Sequence, residues 1–307
     1  MLKVKSVHNA FLVQDNFEYR RTVVDSLSYA IANLLAGNNE NSPAIEILNG
    51  YIELEVNKPA LIAVTGSAAV SIGGKREERP WRLIPVTPNS IVRIESLNSG
   101  IAYVSIPSNM SFSGRKKLSK GSILDIDEGK VSDLLDELPA RRIPSRYIPP
   151  SSNKVEIKAE LLVDREVKIP KLFVIKGKDP HSISLSPIGS IDISRHNVDS
   201  EPIPGSVIVG NPNVKVITNP SSDDSPIVAE IGPLSLGALA RAPNNAIVKV
   251  KYSTSEEVKS QEVLREVELI DRIKLILSNA CSAVRRGAKL VRVRVGESIF
   301  EAWVEEI

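Results

Sequence analysis

Short runs of β-branched and aliphatic residues, cut at close intervals by Gly, Pro, Asn and Ser, dominate this chain. The clearest are Ile45–Val56, Leu61–Thr65, Ile91–Ile94, Ile101–Ile106, Val155–Val163, Val207–Val209, Val214–Thr218 and Ala246–Tyr252. Branched side chains pack well on a pleated backbone, and Gly, Pro and Asn supply turns. Strands of this length with turn residues between them predict sandwiches or barrels. Strand and helix patterns do not alternate in a sustained way, which argues against a doubly wound sheet. The fold class expected is mostly β.

Two segments break the pattern and read as helices. In Asp25–Ala36, Asp25 is a good N-cap, Leu27, Ile31, Leu34 and Leu35 share a face, and Gly37 supplies a left-handed stop. The second runs from about Glu256 to Arg286. Thr254 and Glu257 have capping-box spacing, Arg285 and Arg286 suit the negative end of the helix dipole, and Gly287 ends it. Such a helix reaches over roughly 40 Å at 1.5 Å per residue, enough to cross one domain or dock on a partner. Gly129–Leu138 predicts a short third helix. A terminal hairpin follows the long helix, with strands Lys289–Val295 and Ser298–Val304 and a turn at Gly296–Glu297. Arg292 and Arg294 read as a solvated strand face.

A chain of 307 residues is expected to hold two domains. The Pro- and Ser-rich stretch Pro139, Pro144, Pro149, Pro150, Ser151, Ser152, Asn153 places the boundary. The division expected is 1–138, a linker 139–154, and 155–307. A net charge of +2 gives no electrostatic case for nucleic acid or acidic lipid as the main partner. Apolar runs such as Ala60–Val64 are far below the roughly 18 residues of a spanning helix. Met1–Lys5 is followed by no apolar signal core, and Cys281 is the sole cysteine. These features lead to the expectation of a cytoplasmic protein. Scarce Cys, Met and Gln beside abundant Ile, Val, Lys, Arg and Glu resemble a heat-adapted composition, although Asn is plentiful. Asn109-Met110-Ser111 matches a glycosylation sequon that an intracellular chain would not use.

An ordered set of landmarks runs through the first half. Gln14-Asp15 follows an apolar run; then come Asp25, Ala32-Asn33, Gly37-Asn38 and Glu46 on a strand. Thr65-Gly66 ends another strand, Trp81-Arg82 follows, and Gly114-Arg115 with Leu118, Lys120 and Gly121 closes the series. In the second half stands Ser200-Glu201-Pro202-Ile203-Pro204-Gly205, and the terminal hairpin carries Trp303-Val304-Glu305-Glu306. Taken in order, these resemble the biotin-dependent carboxyltransferase family, which includes allophanate hydrolase subunit 2, the carboxyltransferase part of urea carboxylase, and the C-type subunit of ATP-dependent 5-oxoprolinase. The resemblance covers most of the chain. It implies two tandem cyclophilin-like β-barrels and pairing with a smaller, B-type subunit of related fold.

The sequence departs from the family pattern in its loops. Between Gln14-Asp15 and Asp25 only Asn16–Val24 remains, without the family's Gly-Arg and Ser-Gly-Ala elements. The loop after the first strand-rich region is Ile106-Pro107-Ser108-Asn109-Met110. Asn219–Pro226 carries Ser221, Ser222, Asp223, Asp224 and Ser225 in place of glycines and a tyrosine. Glycine lets a backbone approach a ligand closely, so these changes bear on substrate contact.

Several familiar chemistries are absent. His8, His181 and His196 lack metal-ligand spacing, and there is no Cys-x-x-Cys or Gly-x-Ser-x-Gly. Gly73-Gly74-Lys75 lacks the spacing of a phosphate loop and reads as a hairpin turn. The resemblance makes Asp25, Glu46 and Arg115 the catalytic candidates. It makes Gln14, Asp15, Asn38, Thr65, Gly66, Ser200 and Glu201 the substrate-binding ones. Each has a plainer reading: Asp25 as a helix cap, Glu46 as the partner of an arginine such as Arg82, Gln14-Asp15 as a strand-end brace, and Thr65-Gly66 as a tight strand exit. Arg115-Lys116-Lys117 with Lys120 has the charge to meet a carboxylate or phosphate but reads first as a solvated basic loop, and Asp223-Asp224 has the charge for a cation site but reads first as a surface turn.

The function expected is a divergent component of a 5-oxoprolinase- or carboxyltransferase-type assembly, an amide-bond hydrolase or biotin-dependent carboxyltransferase acting on a small amide or cyclic amide. No cofactor is expected on this chain alone, since it has neither an ATP loop nor a biotin-attachment motif; a partner subunit would supply ATP or biotin. The alternatives are a non-catalytic scaffold of the same family, with the long helix as its docking element, and a small-molecule-binding regulatory module.

Overall fold

The structure is a computed structural model that describes residues 1–15, 23–74, 76–162, 169–189, 202–209, 214–218, 227–253, 257–295 and 298–305. The chain is mostly β, as its strand pattern predicts. Ten strands build the first sheet: β1 (Leu2–Gln14), β2 (Ala44–Val56), β3 (Ala60–Gly66), β4 (Ala68–Ile72), β5 (Arg76–Glu78), β6 (Arg82–Val86), β7 (Ser90–Ser96), β8 (Ile101–Ser105), β9 (Gly114–Lys117) and β10 (Ile123–Leu124). They run in the order β5-β4-β7-β2-β8-β3-β6, and β1 pairs with β2, β9 and β10 to make a nearly closed barrel.

A second set closes fully: β11 (Lys154–Leu161), β12 (Leu172–Lys178), β13 (Ser182–Pro187), β14 (Ser206–Val209), β15 (Val214–Ile217), β16 (Ile227–Ile231) and β17 (Ile247–Ser253). Its seam is the parallel pair β11–β17, and its other pairings are antiparallel. Closure removes the exposed edges that invite aggregation. Strands β18 (Lys289–Val295) and β19 (Ser298–Val304) form the predicted terminal hairpin. Arg292 and Arg294 are exposed, as expected of a solvated strand face, and Arg292 pairs with Glu301.

Strand alternation explains how the first barrel serves two cores. On β2, Ile45 and Ile47 point into the barrel's own core. Ala44 and Leu48, of the opposite parity, join a second core that contains Val155, Ile157, Phe173 and Val248 of the other barrel. On β8, Ala102 and Val104 point inward while Ile101 and Tyr103 join the shared core. One apolar cluster therefore welds the outer face of one barrel to the other barrel.

Helix α1 (Ser26–Leu35) lies at this junction. The sequence predicts a single apolar face, but the helix is buried on nearly every side, and of the predicted face Leu34 is only half-buried. Leu27, Ala30, Ile31 and Leu35 pack on Leu61, Leu83, Ile270 and Leu277, while Tyr29 and Ala32 face the shared core. Both ends are satisfied as a buried helix requires. Asp25 accepts from Ser28 N at 3.4 Å, and Gly37, at φ 70°, makes the left-handed stop. Arg141 donates to the carbonyls of Leu34 (2.9 Å) and Leu35 (3.2 Å), while Glu137 holds its other edge.

Helix α2 (Glu128–Leu135) sits where a short helix is predicted, capped by Asp127. Helix α3 (Pro233–Arg241) is not apparent from the strand-rich pattern; its one local helix signal is Pro233 at its first position. Helix α4 (Glu257–Arg285) is the long helix; the expected cap residue Thr254 and the turn Gly296–Glu297 lie outside the described residues. One face of α4 packs on its own chain. Ile270, Ile273 and Leu277 join α1 in one cluster. Glu262 accepts from Ser235 N (2.9 Å) and Oγ (2.6 Å) in the first turn of α3, and Glu266 accepts from Ser26 Oγ in the first turn of α1. Two carboxylates one turn apart thus meet the positive ends of two helices.

Lys178, at the end of β12, is buried and donates to the carbonyls of Ala240 (2.8 Å) and Ala242, which flank Arg241 at the end of α3. Burial, and secondarily the nearby Arg241 charge, lower its pKa to about 7. The unfolded chain therefore holds this proton to higher pH than the folded one. Stability from this group rises as pH climbs from about 7 towards the usual lysine range. Comparing wild type with Lys178→Met by denaturant unfolding across that window should show the difference moving in favour of wild type as pH increases. A pH-independent difference would mean that the ammonium is not desolvated.

Candidate functional site

Glu46 is the centre of the polar groups at the junction. Its parity on β2 aims it out of the first barrel, and it is fully buried. A bare carboxylate there would be costly, so its partners decide its role. Arg115 Nη1 donates to Oε1 at 2.5 Å. Tyr103 Oη donates to Oε2 at 2.7 Å, and Val24 N donates to the same oxygen at 3.3 Å. The expected arginine partner, Arg82, is elsewhere: it lies 3.7 Å from Glu78. Nor is Arg115 part of a solvated loop. It stands on β9, opposite Val13 of β1, with its side chain 9% exposed and its guanidinium 4.1 Å from the centre of the Phe11 ring. Lys116, Lys117 and Lys120 remain exposed.

Tyr103 carries the network onward. Its hydroxyl accepts from Asp25 N at 2.9 Å while donating to Glu46. Burial, and then the charges of Glu46 and Asp25, hold its pKa well above the ordinary tyrosine value, so it stays a donor. Asp25 then crosses to the second barrel: Arg241 Nη1 of α3 donates to Oδ2 at 2.6 Å, and Ser28 Oγ donates to the same oxygen at 2.5 Å. Gly237 makes this approach possible. A Cβ there would stand 2.6 Å from Asp25 Oδ1 and 3.1 Å from Arg241 Nη1. The result is a buried line, Arg115–Glu46–Tyr103–Asp25–Arg241, whose two acids and two bases balance.

The other candidates surround this line or brace it. Gln14 Oε1 accepts from Phe112 N at 3.0 Å, fixing the segment before β9. Asp15, also buried, donates its N–H to Tyr29 Oη at 3.2 Å, and that hydroxyl donates to Ser42 O at 2.6 Å. Asn38 is occupied on both sides of its amide: it donates to Ile106 O (2.8 Å) and Ser105 Oγ (3.2 Å) and accepts from Ser108 N (3.3 Å). Thr65 Oγ1 donates to Ser28 O at 2.7 Å, tying β3 to α1. Gly66, at φ 82°, sits where a Cβ would be 2.4 Å from Ile101 O, so a close backbone approach demands glycine. Ser200, Glu201, Asn219–Pro226 and most of Asn16–Val24 lie outside the described residues. Sequence reasoning missed Tyr103 and Arg241, the residues that join the acids into one network. Tyr103 hides in an aliphatic strand run, and Arg241 lies on the helix that was not predicted.

Among the described residues no group of three or more His, Cys, Asp or Glu side chains is placed to hold a metal ion. Burial pushes the Cys281 thiol up to about 11, which leaves it a poor nucleophile.

Residues 23–114 match the carboxyltransferase domain, subdomain A and B. The likeness to the biotin-dependent carboxyltransferase family is thereby borne out, and the matched segment holds Asp25, Asn38, Glu46, Thr65 and Gly66 and ends one residue before Arg115. The fold resembles the urea amidolyase of K. lactis, with a TM-score of 0.68 and 19% identity over 89% of this chain and 20% of that one. It also resembles the urea carboxylase of Kluyveromyces lactis (TM-score 0.67, 18% identity, 89% and 29% covered) and the protein TTHA0988 (TM-score 0.59, 16% identity, 81% and 99% covered). The chain spans about a fifth of the amidolyase's length. No curated protein sequence matches it. No described helix of this carboxyltransferase-like chain is long and apolar enough to cross a membrane.

Three variants test the network. Glu46→Ala strands the buried Arg115 and should cost about 3–5 kcal/mol. The paired change Glu46→Gln with Arg115→Met should cost less than the two single changes summed, because neither charge is left alone. Chemical denaturation measures both, and full additivity would deny the coupling. Gly237→Ala should destabilise by about 1–3 kcal/mol through overpacking against Asp25. An unchanged unfolding midpoint would show that α3 and the Asp25 cap are not in contact.

Proposed function

We propose that this chain is a component of an amide- or carboxyl-processing assembly of the carboxyltransferase type, with its chemistry at the junction of the two barrels. The observation that supports this most directly is the buried polar line from Arg115 to Arg241, placed in an otherwise apolar contact. Charges at such a depth are costly and hydrophobic replacements are commonly as stable, so stability alone gives weak reason to keep them. Three of the four charges, Asp25, Glu46 and Arg115, coincide with the family's landmark positions, which favours a functional role.

In this reading the substrate is a small amide or cyclic amide, as in a 5-oxoprolinase- or urea-type reaction. ATP or biotin arrives with a partner subunit, and a smaller B-type protein of related fold completes the assembly. Glu46 is not a free general base here, since both of its oxygens are engaged. Its role is to hold Arg115 and Tyr103 in place. Asp25 joins the cap of α1 to Arg241 and so sets the spacing of the two barrels.

A second reading, a non-catalytic scaffold, has its own support. Asn38, Thr65, Glu46 and Asp25 all spend their polar atoms on the protein itself. The two readings separate in one experiment. The chain is co-expressed with a B-type partner of related fold, and the complex is assayed for ATP-dependent opening of 5-oxoproline and for carboxylation of urea. Turnover that falls at least a hundredfold in Asp25→Asn, with the complex still assembled, supports the enzymatic reading. A stable complex without turnover of either compound supports the scaffold.

A further inference from the structure

Arg115 has an edge that its structural role does not use. Nη1 serves Glu46, and Phe11 covers a ring-sized face of the guanidinium. Nε and Nη2, which lie side by side on the opposite edge, are closed to water and have no hydrogen-bond partner. Buried donors are nearly always paired, so two orphans on one side chain call for an explanation. Leaving them unpaired destabilises the folded chain, and an acceptor that reaches them recovers that loss.

We propose that the Nε–Nη2 edge of Arg115 is the anchor for the carboxylate of a small planar ligand, an inference that rests on the junction being the working site. The two N–H groups are parallel and coplanar, and the two oxygens of a carboxylate accept both at once. A neutral amide or urea offers one oxygen to this edge, and its own N–H donors would oppose the second. Glu46 fixes the guanidinium plane from the other side, so the fork is pre-oriented. Arg241 Nε is a further buried, unpaired donor at the far end of the same line. Asp25 and Glu46 are balanced by Arg115 and Arg241, so a single negative charge is the most that the site would accept without a further cation; this favours a monocarboxylate over a phosphate dianion. The edge is covered, so a ligand reaches it only through local opening. The substrate class that follows is an amide bearing a carboxylate, in preference to an uncharged amide such as urea.

The test uses the full chain and two probes that differ in the carboxylate alone: 5-oxoproline and 2-pyrrolidinone, the same ring without its acid. Binding is followed by calorimetry and by ligand-observed NMR, in the wild type and in Arg115→Lys. That variant keeps a cation beside Glu46 but replaces the planar fork with a point charge. The wild type should bind the acid at least tenfold tighter than the plain lactam, and Arg115→Lys should lose that preference. Equal binding of the two probes, or an unchanged preference in Arg115→Lys, overturns the assignment. If the lysine variant does not fold, the probe comparison in the wild type decides alone. Turnover of urea by the partnered complex, together with no preference between the probes, would remove the carboxylate anchor and leave the broader reading intact. Absence of both binding and turnover would remove both.

Discussion

The hydrogen bond and ion pair between Asp25 and Arg241 hold the architecture together across 216 positions of sequence. Removing water from two charges costs several kcal/mol each, and only close geometry with further hydrogen bonds recovers it. Ser28, Tyr103 and Glu46 supply those bonds from the first barrel's side. The apolar junction alone would tolerate sliding, because hydrophobic contact has no direction. The charged line gives the contact a register.

Around this line the helices are finished by groups from distant parts of the chain. Glu262 and Glu266 of α4 close the first turns of α3 and α1, Arg141 closes the last turn of α1, and Lys178 closes the last turn of α3. Buried helix ends must find such partners. Glu137 joins the set by holding Arg141 and Arg285 at once; burial opposes its charge, yet the arginine hydrogen bonds and charges keep its pKa below the ordinary value. The long helix is thus a strap over the junction, and the terminal hairpin rests beside it through Trp303 against Ala140 and Cys281.

The strands, the terminal hairpin and α1 were legible because local chemistry decides them: branched runs, turn residues, an N-cap aspartate and a stop glycine. Helix α3 was not, because its nine residues carry small and apolar side chains that look like another buried strand. The site was legible in part. Glu46, Asp25 and Arg115 stand out as charges in apolar or landmark positions. Their pairing was not legible, since Arg82 and Arg115 are equivalent in sequence terms and only the register of β1 with β9 brings Arg115 to Glu46. The surface that α4 covers on its own chain was not legible for the same reason. An amphipathic helix does not announce which surface will cover it, and Glu262 and Glu266 look solvent-bound until α1 and α3 are placed.

The all-round burial of α1 has one more consequence. A helix buried on nearly every side cannot be finished by the half of the protein that encodes it. Part of its lining comes from β2, β3, β6 and β8 of its own barrel, and part from α3 and α4, about two hundred residues later in translation. Until the ribosome has delivered those segments, the nascent first barrel carries an apolar wound beside α1. Maturation of the junction therefore waits for the second half, and the two halves made as separate polypeptides would have to meet before either could be sealed.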